Sequence, residues 1–261
     1  NSVEERESIA KNIIGWEYKP LPYLLATTNL ILHDMEVPNI SFRDSLDQPL
    51  SNYTEKNRVN AILANPPFGG IAANNNENNF PQNFRTKESA DLFLVLMIHL
   101  LKNGGRAGIV LPDGSLTGDG VKQRVRQRLL EECNLHTIIR LPNSVFQPYA
   151  TVATNLLFFT KGSPTKEVWY YEHRLPEGQK AYNKTRPLQL KEFDPIKTWW
   201  NNRKESDLSW KVDIQTIIDR NYDLDIKNPT KQEEEIIYSS VELMEMLDKS
   251  FSKSHDLLNS L

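Results

Sequence analysis

The sequence predicts an α/β fold built on a mainly parallel sheet, and three observations carry that expectation. Short apolar runs alternate with amphipathic stretches from Ile13 to about Val168, the rhythm of βα units feeding one sheet. Val59-Asn-Ala-Ile-Leu-Ala64 and Ala107-Gly-Ile-Val-Leu111 are near-continuous apolar segments, as strands buried on both faces require. Two late candidates, residues 155–159 and 168–171, stand only about eight residues apart, too close for a helical crossover, so they are expected to be antiparallel neighbours.

In chain order, strands are expected at residues 13–17, around 40–42, then at 59–64, 107–111, 137–141, 155–159 and 168–171. Helices are expected in the intervening stretches 22–33, 89–102 and 121–132. After Gly162 the texture becomes rich in Pro, Lys, Trp and Asn, with a Trp199-Trp200 pair, and the βα rhythm stops. From Lys231 onward there is no Pro or Gly, and Ile237, Val241, Met244, Leu247, Phe251 and Leu258 recur at three-, four- and seven-residue steps. That pattern is an amphipathic helix of coiled-coil character, either folded back on its own core or docking another subunit. The expected division is therefore a core at 1–162, an extension at 163–229 and a terminal helix at 230–261.

Composition excludes several classes. With 25% charged and 39% hydrophobic residues, and 15 Pro and 11 Gly spread along the chain, nothing points to a disordered or fibrous protein. A formal net charge of -3 gives no bulk attraction to a polyanion, so contact with nucleic acid must come from local patches or from a partner. The single cysteine, Cys133, rules out a disulfide framework and reads as a small buried residue, which fits a reducing cytoplasmic compartment. The most apolar run, residues 92–101, is about ten residues long and contains His99, too short to cross a bilayer. The chain opens on Asn1 without an initiator methionine and is polar and helix-like from the start, which reads as a trimmed product with its true start unseen.

The chemistry is concentrated in Asn65-Pro66-Pro67-Phe68, which follows the buried strand 59–64, where open α/β sheets place ligands. The exocyclic amine of adenine is a poor nucleophile because its lone pair is delocalised into the ring. The Asn65 side-chain oxygen and the Pro66 carbonyl can each accept one amine hydrogen, drawing the nitrogen toward tetrahedral geometry. Two prolines fix the backbone and offer no N–H to compete. Phe68 can stack on a base that has left the duplex. Taken without further context, the same tetrapeptide is a Pro-Pro turn ending a strand, with Phe68 as a core plug.

With its surroundings the tetrapeptide resembles the amino-methyltransferases that use S-adenosyl-L-methionine, and longer runs narrow the likeness. Gly15-Trp-Glu-Tyr-Lys-Pro-Leu-Pro-Tyr23, Asn29-Leu-Ile-Leu-His33, Arg43-Asp-Ser-Leu46, Asn78-Asn-Phe-Pro81 and Ala90-Asp-Leu-Phe93 resemble the modification subunits of Type I restriction-modification systems, which are adenine-N6 DNA methyltransferases. So do Gly104-Gly-Arg-Ala-Gly-Ile-Val-Leu-Pro-Asp-Gly114, Ile139-Arg-Leu-Pro142, Val145-Phe-Gln-Pro148, Thr154-Asn-Leu-Leu-Phe-Phe159 and Asn221-Tyr-Asp-Leu224. The match runs in order along nearly the whole chain. It implies a Rossmann-like methyltransferase sheet, mostly parallel with an antiparallel strand near its end, plus a helical carboxy-terminal tail.

The resemblance also assigns residues. Glu17 stands where the family holds the cofactor ribose hydroxyls, and Asp44 where it binds the adenine amine of S-adenosyl-L-methionine; by themselves both are surface carboxylates. Phe146 matches an aromatic that packs on the flipped base from the side opposite Phe68, and is otherwise a core phenylalanine before a turn. Phe93 could line the cofactor pocket, but shares an apolar helix face with Leu94, Leu96 and Met97, so core packing is expected. Lys122, Arg124, Arg126 and Arg128 lie on one helix, where they could meet phosphate or form a solvated face. Gly118-Asp-Gly120 reads as a turn rather than a phosphate cradle.

The family's glycine-rich loop should precede Glu17 by about 20 residues or more, yet only residues 1–16 stand there, with no glycine before Gly15. The resemblance thus implies that the first strand, that loop and a helical amino-terminal domain lie outside this chain, and that this polypeptide alone binds the cofactor weakly and does not methylate. It implies partners as well: DNA, a specificity subunit, a restriction subunit and a second copy of the modification subunit, with no membrane and no metal. Other readings are an amino-methyltransferase acting on RNA or a protein glutamine, and a noncatalytic assembly fragment.

Overall fold

The computed structural model describes residues 3–230 and 240–259. Eight strands follow in order: β1 (Gly15–Glu17), β2 (Ile40–Phe42), β3 (Val59–Ala64), β4 (Leu101–Pro112), β5 (Cys133–Leu141), β6 (Thr154–Lys161), β7 (Glu167–Glu172) and β8 (Ser209–Asp213). The helices are α1 (Val3–Asn12), α2 (Pro20–Leu32), α3 (Ser89–Leu100), the short α4 (Asp113–Leu116), α5 (Val121–Glu132), α6 (Asp194–Asn201), α7 (Ile214–Asp219) and α8 (Ser240–Asn259). The described residues fall into two compact units, Asn1–Asn228 and Pro229–Leu261.

Strands β1 and β2 pair in parallel as a separate two-stranded sheet, and the other six form one mixed sheet in the order β3-β4-β6-β5-β7-β8. β3 pairs β4 in parallel and β5 pairs β7 in parallel, whereas β6 runs antiparallel to both β4 and β5. The expectation that β6 and β7 are neighbours is thus corrected: they do run in opposite directions, but β5 lies between them. Leu156 and Leu157 pair across to both β4 and β5, so β6 is a fully laddered central strand, and β7 joins on the far side of β5. The strand at 209–213 was not expected; it alternates Trp210 and Val212 inward with Lys211 outward, a period of two too short to stand out in the sequence. Both β7 and β8 extend the main sheet, so the segment after Gly162 shares its core with the residues before it.

The sheet is covered by helices whose sequences dictate their depth. α3 carries no charge after Asp91 and is apolar all round, so it lies inside, with Leu92, Val95 and Ile98 sealed from solvent. α5 is amphipathic and buries Val125, Leu129 and Leu130. Cys133 opens β5 buried, and desolvation pushes its thiol up to about 12, so it is the inert apolar residue expected. On a second cluster Ile139, Leu141 and Tyr171 pack with Ile196, Trp199, Trp200 and Phe158, giving the Trp pair of α6 its packing role. Trp200 meets Phe158 edge to face at 5.0 Å.

Two apolar features stay open. α2 has no charged residue yet buries none of its side chains. The expectation that residues 59–64 are buried on both faces is corrected: β3 is the edge strand of the six-stranded sheet, none of its residues is buried, and Leu63 is 85% exposed. In the second unit, α8 exposes Leu243, Met244, Leu247 and Phe251 along its length; of the expected stripe, Ile237 and the side chains of Val241 and Leu258 lie outside the described residues. No helix among the described residues is long and apolar enough to cross a membrane.

Candidate functional site

The strands β3, β4, β5 and β7 share one direction, so their carboxyl ends lie along one edge of the sheet, where ligands gather in α/β folds. The first loop there is the Asn-Pro-Pro-Phe segment. Neither proline can donate to a ladder, so β3 stops at Ala64. Pro66 is buried while Asn65 and Pro67 are exposed, which seats the loop by its middle residue. Gly69 turns the chain in left-handed backbone at φ 64°, and the Gly70 carbonyl accepts from both the N–H and the hydroxyl of Ser89, at 3.0 and 2.9 Å. A Cβ on Gly70 would stand 3.1 Å from the Pro67 ring and 3.4 Å from the Ser89 hydroxyl, so the loop is folded closely on itself and against the start of α3.

Asn65 is exposed, and its amide makes no hydrogen bond among the described residues. It lines a 390 Å³ cavity together with residues of β3, β4 and β6, among them Leu63, Gly108, Val110, Leu156 and Phe158. A polar group that is rigidly placed and unpaired is poised for a partner from outside. Next to it, Phe68 and Phe146 are brought together by the fold: their rings meet edge to face, with centroids 4.9 Å apart and planes at 70°. A base sandwiched between two aromatic faces needs about 7–8 Å, two carbon contact distances. The edge of one ring thus lies on the face of the other here, with no slot between them.

Glu17 ends β1 and Asp44 lies two residues past the end of the adjacent parallel strand β2, and the Arg43 N–H donates to the Glu17 carbonyl at 3.0 Å, so both carboxylates lie at the same end of this small sheet. Glu17 Oε1 accepts the Lys19 N–H at 2.7 Å, leaving its other oxygen available. Asp44 is more committed: Oδ1 accepts the Leu46 N–H at 2.9 Å and Oδ2 accepts the amide of Asn76 at 2.8 Å. Asn79 adds a bond to the Leu46 carbonyl at 2.8 Å. Asn76 and Asn79 are therefore the side chains that clamp the Asp44 turn. Beside it Arg43 lies over the Trp16 ring, 4.7 Å from its centroid, and donates to the Tyr53 hydroxyl at 3.1 Å.

A polar network at the ends of β4 and β5 was not singled out from the sequence. Buried Asn155 donates to Asp113 Oδ1 at 2.6 Å, and Arg140 joins Asp225 at 2.5 Å and the Ile226 carbonyl at 3.1 Å. Burial pushes the Asp225 carboxyl up, but Arg140 beside it outweighs this and holds it below the usual carboxylate range. The runs that contain Asp113, Arg140 and Asn155 were visible; that they converge was not.

The basic helix is corrected. Arg126 is 2% exposed and donates to the carbonyls of Thr117, Gly118 and Tyr222. Lys122 holds the Gly114 carbonyl and Glu88, Arg124 the Asn83 carbonyl, and Arg128 pairs with Glu132 over the Phe84 ring. The solvated face expected is thus only partly formed: Arg124 is exposed, Arg126 turns inward, and Lys122, Arg124 and Arg126 fasten loop carbonyls to α5. Gly118 and Gly120, both at positive φ, form the expected turn. Phe93 is half-buried and packs against the core. No cluster of metal-ligating side chains occurs among the described residues.

Residues 2–236 match the family model described as N-6 DNA Methylase. The Type I restriction enzyme EcoEI methylase subunit of Escherichia coli is 48% identical over 268 residues, which cover 100% of this chain and 54% of that protein. The structure of a modification subunit assigned to a type I restriction enzyme of Vibrio vulnificus YJ016 superposes with a TM-score of 0.82 at 43% identity, covering 88% of this chain and 51% of that one. A chain from a structural study of complex assembly and conformational transition in the type I R-M system gives a TM-score of 0.83 at 33% identity, covering 100% of this chain and 56% of that one. The chain spans about half the length of the curated relatives it matches.

Proposed function

This chain belongs to the N-6 DNA methylase family, and from that premise we propose that it carries the catalytic loop of a Type I methylase subunit, one that methylates N6 of an adenine rotated out of duplex DNA. The observation that carries the reading is the exposed, unpartnered amide of Asn65, held by two prolines at the carboxyl end of β3 and flanked by Phe68.

Asn65 and the Pro66 carbonyl would accept the two hydrogens of the adenine amine, restoring nucleophilic character to its nitrogen as the new bond forms. Pro67 adds rigidity, so these acceptors need no reorganisation during the reaction. Phe68 would stack on the extrahelical base, with Phe146 moving to its second face.

S-adenosyl-L-methionine supplies an electrophilic sulfonium methyl when bound. The carboxylates here suit it: Glu17 keeps one oxygen available for ribose hydroxyls, and Asp44, whose two oxygens each retain acceptor capacity, could take the adenine amine beside Asn76. In this reading sequence recognition comes from a specificity subunit, consistent with the net charge of -3, and cleavage from a restriction subunit; a second methylase copy completes the assembly, and α8 contributes to docking.

The test is methylation of adenine in duplex DNA by the full-length protein with its specificity partner, repeated with Asn65→Ala. Loss of methyl transfer with cofactor binding retained is expected; unchanged transfer would remove Asn65 from the chemistry.

A further inference from the structure

Between β5 and β6 runs a loop, residues 142–153, that carries Phe146 to Phe68 and has no charged residue. Its ends are tied down. Ser144, buried, accepts the Tyr182 N–H on its hydroxyl at 2.9 Å, and the Ala153 carbonyl accepts the Asp113 N–H at 3.0 Å. Between those anchors the backbone bonds that form are internal: the N–H groups of Tyr149 and Ala150 both donate to the Phe146 carbonyl, at 2.9 and 3.0 Å. One turn thus holds Phe146 and Tyr149 as a unit, with Phe146 half-buried against Phe68 and Tyr149 90% exposed.

A large aromatic so exposed, on a loop free of charge at the mouth of a base site, has the chemistry of a base-face contact rather than a phosphate contact. The geometry points to Tyr149 as a duplex-contacting residue: when Phe68 and Phe146 part to admit the adenine, Tyr149 moves with Phe146 and stacks on the bases beside the vacated position, holding the target out of the helix. This rests on the reading of Asn65 and Phe68 as the site of an extrahelical adenine. Tyr149 touches DNA but not the reacting atoms, so it lowers the cost of unstacking and leaves the methyl-transfer step itself unaltered.

The experiment uses the full-length methylase assembled with its specificity partner and a duplex bearing the site it modifies, mapped beforehand by sequencing N6-methyladenine in plasmid DNA. Tyr149→Ala and Tyr149→Phe are compared on the matched duplex and on the same duplex with an abasic position opposite the target adenine. Methyl-transfer rate is read on each, and base extrusion is read as the fluorescence rise on companion duplexes in which 2-aminopurine, which lacks the N6 amine, replaces the target adenine. On the matched duplex Tyr149→Ala is expected to slow transfer by about tenfold and to diminish the fluorescence rise. On the abasic duplex it should approach the wild-type rate, and Tyr149→Phe should retain activity on both. A wild-type rate for Tyr149→Ala on the matched duplex would overturn the proposal, as would an equal loss on both duplexes. So would failure of Tyr149→Ala to assemble, which would make the residue a protein contact. If the wild-type complex itself forms no N6-methyladenine, the reading of Asn65 fails first and the role of Tyr149 with it.

Discussion

Arg126 Nε donates to the carbonyl oxygen of Tyr222 at 2.6 Å, joining α5 to a turn almost a hundred positions later in the chain. Tyr222 presents that carbonyl from left-handed backbone, φ 60°, directly after Asn221 at φ 55°. Two successive non-glycine residues in that region are unfavourable unless the surroundings hold them there. The Thr117 hydroxyl, which donates to Asp223 at 3.2 Å, adds a second fastening. The Asn221-Tyr-Asp-Leu224 segment is thus a structural clasp that closes the tail onto the core.

Replacing Arg126 with Met should cost about 3 kcal/mol, because the carbonyls of Thr117, Gly118 and Tyr222 would lose a buried donor that the thioether cannot replace. Urea unfolding should show a lowered midpoint with an unchanged slope. A shift no larger than that of a surface substitution would mean that water satisfies those carbonyls.

Asn65→Ala should leave stability within about 0.5 kcal/mol of wild type, since the amide is exposed and unpartnered. In the full-length complex it should lower the methyl-transfer rate by about 100-fold or more. Thermal melting and single-turnover transfer, measured on the same preparations, separate the two effects.

Asp44→Asn keeps one acceptor and gains a donor, so it cannot receive both the Leu46 N–H and the Asn76 amide as the carboxylate does. Hydrogen exchange should quicken at residues 73–79, while Glu17→Gln, which leaves that clamp untouched, should not change it. In the full-length protein Glu17→Gln should weaken S-adenosyl-L-methionine binding by about tenfold in calorimetry.

Acid should unfold the chain partly through His136. Burial, with Arg203 adding repulsion, lowers its imidazole from 6.5 to about 4. The folded state holds the ring neutral, so below pH 6.5 the unfolded chain takes up the proton first. The contribution is complete above 6.5 and disappears as pH falls to about 4. Allowing for partial exposure it is of the order of 2 kcal/mol. Urea midpoints across this range should fall less steeply for His136→Gln than for wild type.

Cys133 should resist thiol reagents in the native protein and react fully in denaturant, because its sulfur is sealed and its thiolate disfavoured, with desolvation raising it to about 12. Rapid native labelling would show that β5 opens locally.

By itself the sequence determined the strands that need no partner to be recognised. Val59 to Ala64 is apolar nearly throughout and stops before two prolines, so local sterics and hydrophobicity fix the strand and the rigid Asn65 loop, but not its burial, because its place at the sheet edge is set by pairing. Gly118 and Gly120 were legible as a turn, and Cys133 as a core residue, for the same reason: each follows from the chemistry of a few adjacent residues. Pairing was not local. That β5 lies between β6 and β7, that Asn76 seats on Asp44, that Arg126 turns inward and that Phe68 and Phe146 close on one another depend on contacts between segments far apart in the chain. A charged or aromatic side chain reads alike in sequence whether it faces water, a carbonyl or a ring; only the packed structure decides which of these it meets.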